Sequence, residues 1–249
     1  MSEHCRRSRK YWFLLIVIIV GVMAVAGRGY LLFQSVPEHW ERRRAFLDTT
    51  RPEDLAAMAN HVEVQVMKLQ SYQGPLPGDT GRDPTKRHLN MTIDEANAWL
   101  TTKLGRWLAN RGVKMPEHFS KPTVHVDNGA LVVSALWNSP EFPKVVSATL
   151  DIEVNEDGML RIERRSIQWG RLAVPFVFIQ EFLGQETSPQ RRELIEDVSR
   201  MTNGEPQDPR IPYRGDTSSR KMIRLLAIQL DEEAIDLAFR IEETETATP

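Results

Sequence analysis

Histidines are the side chains of this chain best suited to relay a proton or hold a metal near neutral pH, and their placement argues against both roles. His4, His39, His61, His88, His118 and His125 are scattered, and none has a second His, Asp or Glu at ligand spacing on one recognisable element. His125 falls in a predicted strand and could meet an acid from elsewhere, although a single strand histidine usually serves structure. Cys5 is the only cysteine, so no intramolecular disulfide and no cysteine-based metal site can be built. Its position before an apolar run would suit acylation, and an inert thiol is the plainer reading. Glu232 and Glu233 are adjacent at a predicted turn, where they read as solvated and not as an acid-base pair. The Gly-x-Ser-x-Gly elbow and the His-Glu-x-x-His helix are both missing from the sequence, which removes common exported hydrolases. Gly78 to Lys86 has the glycine of a phosphate loop without its Gly-Lys-Ser/Thr ending. Asn90-Met91-Thr92 fits a glycosylation sequon, a cheap pattern that a bacterial protein would not use. The expectation is a chain that is not an enzyme, with no catalytic residue, no metal and no cofactor.

What remains is binding by shape, and that depends on the elements. With 249 residues, 41% hydrophobic, the chain can bury the core of one anchored domain. Its 32 basic residues are matched by 34 acidic ones, so no nucleic acid is expected as a partner. Residues 1–10 form a basic tail, and Tyr11 to Gly27 contains no charge. A transmembrane anchor over 11–33 follows, with Tyr11, Trp12 and Tyr30 at the interfaces and Arg28 snorkelling. The alternative is a signal peptide cleaved after Ala26, since Ala24-Val25-Ala26 is a small-x-small site. The basic flank predicts a single-pass protein of the cell membrane, N-terminus cytoplasmic and C-terminal domain extracytoplasmic.

A helical stalk is expected over 34–72. It comprises a charged helix from Pro37 to Leu47 and a second one opened by a Thr50-Arg51-Pro52-Glu53 capping box, with Leu55, Met58, Val62, Val66 and Leu69 in one stripe. That second helix would lie against the domain or stand free. Glycine and proline make 73–91 a linker. The extracytoplasmic domain, 92–243, opens with a Thr92-Ile93-Asp94-Glu95 capping box and an amphipathic helix running to Gly112, on which Asn97 should face solvent.

Thr123 to Pro175 then alternates apolar and polar residues through turns at Asp127-Asn128-Gly129 and Asn155-Glu156-Asp157-Gly158, a curved antiparallel meander. Val146, Ala148, Leu150, Ile152 and Val154 share a dry face, and Ser147, Thr149, Asp151 and Glu153 the wet one. Leu160 and Ile162 lie an odd number of residues from Ile167 and Trp169, which requires a bulge between Glu163 and Ser166. Pro175 to Leu183 and Ser188 to Met201 read as helices, Met222 to Leu230 and Ala234 to Ile241 as a closing hairpin of the meander, and 244–249 as a disordered acidic tail. The fold class is α+β, an N-terminal transmembrane helix followed by a curved antiparallel meander packed against amphipathic helices.

The order of basic tail, anchor, Thr92-x-x-Glu95-x-Asn97 helix, Asn155-Glu156-Asp157-Gly158-x-Leu160 turn and Gly170-x-Leu172-x-Val174-Pro175 corner resembles the YpmS-like bacterial membrane proteins of unknown function. More loosely, the meander and helix look like half of a tubular lipid-binding domain, which implies an apolar cavity and brings no catalytic residues. A lipid or other apolar ligand would then touch Leu100, Leu104, Val146, Ala148, Leu150, Ile152, Phe176 and Phe182. The alternative is a non-catalytic scaffold or interaction module with an envelope protein partner; in either case the membrane is met through the N-terminal helix.

Overall fold

Helices lead and antiparallel sheets follow, an α+β order. The computed structural model describes residues 20–71, 86–110, 112, 118–138, 143–177, 196, 199–212 and 221–243. Helix α1 (20–34) projects Val20, Val22, Met23, Val25, Tyr30 and Leu31 into solvent. Among the described residues no helix is long and apolar enough to cross a membrane; α1 covers only the second part of the apolar run, and 1–19 lie outside.

Helix α2 (Glu38–Thr49) follows Pro37 and buries Arg44 and Leu47. Thr50 does not open the next helix as the capping-box pattern predicts: its hydroxyl donates back to the Phe46 carbonyl at 2.7 Å and closes α2. Helix α3 (Pro52–Ser71) starts instead on proline, whose missing N–H is one the first turn would leave unpaired anyway. Its inner stripe is Leu55, Ala59 and Val62, all buried, at the i, i+4, i+7 spacing of one helical face. This face packs on the helix after β1, so α3 is docked on the domain and is not a free stalk.

The linker expectation fails at its end, because Lys86–Thr92 is strand β1. Its alternation of exposed His88 and Asn90 with buried Arg87 and Leu89 is what a half-covered strand requires, and the glycines and prolines stop short of it. Thr92 then caps helix α4 (Ile93–Thr102): its hydroxyl accepts from the Glu95 N–H at 3.1 Å, and the Glu95 carboxylate accepts from the Thr92 N–H at 2.9 Å. The helix breaks at Lys103 into the short α5 (Leu104–Ala109) instead of running on to Gly112.

The strands make two sheets. β2 (Phe119–Asp127), β3 (Ala130–Trp137), β4 (Lys144–Val154), β5 (Leu160–Trp169) and β6 (Leu172–Ala173) pair in sequence order, as a meander must. β7 (Arg210–Pro212), β8 (Lys221–Leu230) and β9 (Ala234–Glu243) join β1 in a second sheet ordered β1-β9-β8-β7. The last hairpin therefore does not close the meander. It takes β1 as its outer neighbour because Leu89, Ile223 and Phe239 form a common core with Leu69 of α3 packed on it.

Both predicted turns are present: Asn128 and Gly129 take positive φ at 50° and 74°, and Gly158 takes 73°. The required bulge is also present. Thr149 pairs with Ser166 and Leu150 with Arg164, leaving Arg165 as the extra residue, so Leu160, Ile162, Ile167 and Trp169 share one face. Of the two helices expected after the corner, 178–195 lie outside the described residues, as do 72–85 of the linker and the 244–249 tail.

Candidate functional site

The two faces of the five-stranded sheet are not covered as their hydropathy predicts. The register sets Thr123, Ser134 and Ser147 in one row, with His125, Val132 and Val145 beside them. This is the face the hydropathy reads as polar, and it closes at this row: Ser134 and Ser147 are 1% and 2% exposed, while Glu153 further along β4 stays in solvent. Their hydroxyls bond each other at 2.8 Å, and His39 of α2 bonds Ser134 through Nε2 at 3.2 Å. Partnered hydroxyls can be buried at little net cost, which lets α2 lie on a serine-lined surface.

The opposite face carries Leu131, Val133 and Ala135 from β3, Val146, Ala148, Leu150, Ile152 and Val154 from β4, and Ile162, Ile167 and Trp169 from β5. It is an apolar surface closed at β2, where Val126 is 1% exposed, and half-open across β4. Val146, Ala148, Leu150 and Ile152 are all only half-buried, and Val133 is 36% exposed. At the wall of this trough stands Arg164, opposite Leu150 in the register. Its guanidinium lies 3.6 Å over the Phe176 ring and donates to Thr202 Oγ1 at 3.0 Å and to Asn203 Oδ1 at 2.9 Å. Burial holds its pKa below the usual arginine value.

A second concavity lies on the closed face, where the end of α1 meets α2. Its volume is about 420 Å³, and its wall includes Glu38, His39, Arg42, His125, Asp127 and Arg171. The His39 and His125 rings stack at 5.6 Å between centroids and 11° between planes. Burial lowers the His39 pKa to about 4, helped by repulsion from His125, and burial likewise lowers that of His125. The pair is thus neutral near pH 7, and His125 Nδ1 is buried without a hydrogen-bond partner. Both signs of charge line the wall, so this pocket is no simple anion or cation site.

Of the residues the sequence singles out, Val146, Ala148, Leu150 and Ile152 share the trough, and Phe176 joins it through Arg164. Leu100 and Leu104 are half-buried elsewhere: α4 packs chiefly on α3 and on the β2 edge, and α5 packs on α4. Phe182 lies outside the described residues. Asn97, expected in solvent, is 0% exposed. Its amide nitrogen donates to the Ile93 and Val124 carbonyls at 2.7 and 2.8 Å, and its oxygen accepts from the Val124 N–H at 2.8 Å. It pairs with the edge strand as a further strand would. Arg164 and His39 carried no sequence signal, since an arginine inside a bulge and a histidine on a charged helix both read as surface. The bulge requirement alone pointed to the neighbourhood of Arg164. Among the described residues no group of histidines, cysteines and carboxylates could hold a metal ion.

No protein-family model, curated protein or solved structure matches the chain.

Proposed function

We propose that this chain is a membrane-anchored extracytoplasmic module that holds a lipid tail or similar apolar chain against the open face of its five-stranded sheet. The observation that carries the reading is the inversion of burial, in which serines are sealed and Val146, Ala148, Leu150 and Ile152 are left half-open. A packed core leaves few such gaps, and covering about 200 Å² of apolar surface is worth about 5 kcal/mol. A tail laid along β4 would gain that much. The looser likeness to a tubular lipid-binding domain points the same way, and the apolar run that continues into α1 would keep the trough near a bilayer.

The test is native mass spectrometry of the full chain released from membranes in a mild neutral detergent, followed by lipid extraction. The expected result is a stoichiometric lipid that is lost in Leu150→Trp and Ile152→Trp. A clean apo mass for the wild type overturns the reading.

A second reading, a non-catalytic interaction module of an envelope complex, is favoured by apolar side chains left in solvent on α3 and α5. Val64 and Met67 of α3 and Trp107 of α5 are 39%, 55% and 41% exposed. Crosslinking at Met67→Cys, in a Cys5→Ser background, would identify a protein seated there.

A further inference from the structure

We propose that the bound molecule carries an acidic head group, a carboxylate or phosphate, beside its apolar chain, and that Arg164 receives it. This rests on the apolar-ligand reading and names the class of ligand within it.

Three arginines of β5 lie close together and meet different fates. Arg161 pairs with the Glu163 carboxylate at 3.0 Å, and Arg165, turned to the polar face by the bulge, pairs with Asp151 at 2.6 Å. Arg164 is on the apolar face with Leu150. Its partners among the described residues are all neutral: the Thr202 hydroxyl, the Asn203 amide oxygen and the Phe176 ring. A guanidinium has five N–H donors in a planar fork, and here it is partly desolvated with no carboxylate among the described residues to answer its charge.

These neighbours also fix its direction. Segment 202–204 is bonded to the β5 edge through Arg164 N–H to Thr202 O at 2.8 Å and Gly204 N–H to Ile162 O at 2.9 Å, so the two oxygens that hold the guanidinium are themselves held. Phe176 covers one face of the fork. An arginine so placed next to Leu150 and Ile162 matches an amphiphile whose chain lies on β4 and whose acid reaches the β5 edge. Carboxylates and phosphates both meet a guanidinium by paired N–H···O bonds, so a fatty acid and a lipid phosphate share this chemistry.

The experiment measures binding to the full chain in neutral detergent at pH 8, with oleate, 1-oleoyl lysophosphatidate and uncharged 1-mono-oleoylglycerol as probes. One or both acids should bind at least about tenfold tighter than the glyceride, and raising salt should weaken only the acids. Preference for oleate assigns a fatty acid, and preference for lysophosphatidate assigns a lipid phosphate. Arg164→Gln should remove the preference by weakening the acids, while Arg164→Lys should keep part of it. Equal binding of acids and glyceride overturns the proposal and leaves the apolar-ligand reading standing. Binding of none of the three overturns both. Should Arg164→Gln fail to fold, the wild-type comparison and its salt dependence still decide the point.

Discussion

Arg171 donates its backbone N–H to the Leu32 carbonyl at 2.9 Å, which ties the C-terminal end of α1 to the corner between β5 and β6. The approach is possible because the preceding residue is Gly170, at φ +63°, where a Cβ would stand 2.6 Å from the Phe33 carbonyl oxygen and 2.7 Å from that of Ser35. Lys144 adds a cation at the helix end, bonded to Gln34 and lying over the Phe33 ring. The apolar N-terminal helix therefore enters the domain through a fixed joint, which explains why the corner motif begins with glycine.

Gly170→Ala should break that joint. The αL conformation alone costs an alanine about 1–2 kcal/mol, and the carbonyl clash with backbone atoms adds to it. The expected outcome is faster amide exchange over Leu32 to Ser35 with little change in β3 and β4. Unchanged exchange there would show that the helix end is not held by this contact.

Asn97→Ala should destabilise the domain by about 2–4 kcal/mol in urea denaturation, because it leaves the N–H and C=O of Val124 buried and unpaired. Asn97→Asp should not rescue it, since a carboxylate can accept from Val124 but cannot donate to the Val124 and Ile93 carbonyls. A loss below about 0.5 kcal/mol for the alanine variant would mean that water replaces the amide.

The stacked histidines predict a pH dependence. His39 titrates at 6.5 when unfolded and at about 4 in the fold, so between these values the unfolded chain binds a proton that the folded chain refuses. Stability should be flat above about pH 6.5, fall as pH drops toward 4, and level off for this group below that. His125 acts in the same direction; Asp127 opposes the fall, and Arg42 and Arg43 favour it. Allowing for partial solvent screening, the His39 part is about 2 kcal/mol, and urea midpoints at pH 7 and pH 5 should differ less in His39→Gln.

Arg165→Ala should change stability by less than about 0.5 kcal/mol, because both partners of the Arg165–Asp151 pair are about half in solvent, at 52% and 41% side-chain exposure. The same thermal or urea titration on Arg165→Ala serves as the control for Arg164 variants one residue away. A larger loss would assign the bulge itself to Arg165.

Local order was legible in the residues, and long-range pairing was not. The two turns, the Thr92 capping box and the β5 bulge each follow from interactions within a few residues or from strict alternation, so they can be read from the residues alone. The α+β class and the apolar stripe of β4 can be read in the same way. Where each stripe would go was decided only by tertiary structure. The pairing of β1 with β9 joins residues about 150 positions apart, which no local pattern encodes. Hydropathy assigned the polar face of the sheet to solvent, yet Ser134, Ser147 and His39 satisfy one another and accept a helix there, leaving the apolar face half-open. Burial follows hydrogen-bond satisfaction as well as apolar area, and satisfaction depends on partners that only the folded chain brings within reach.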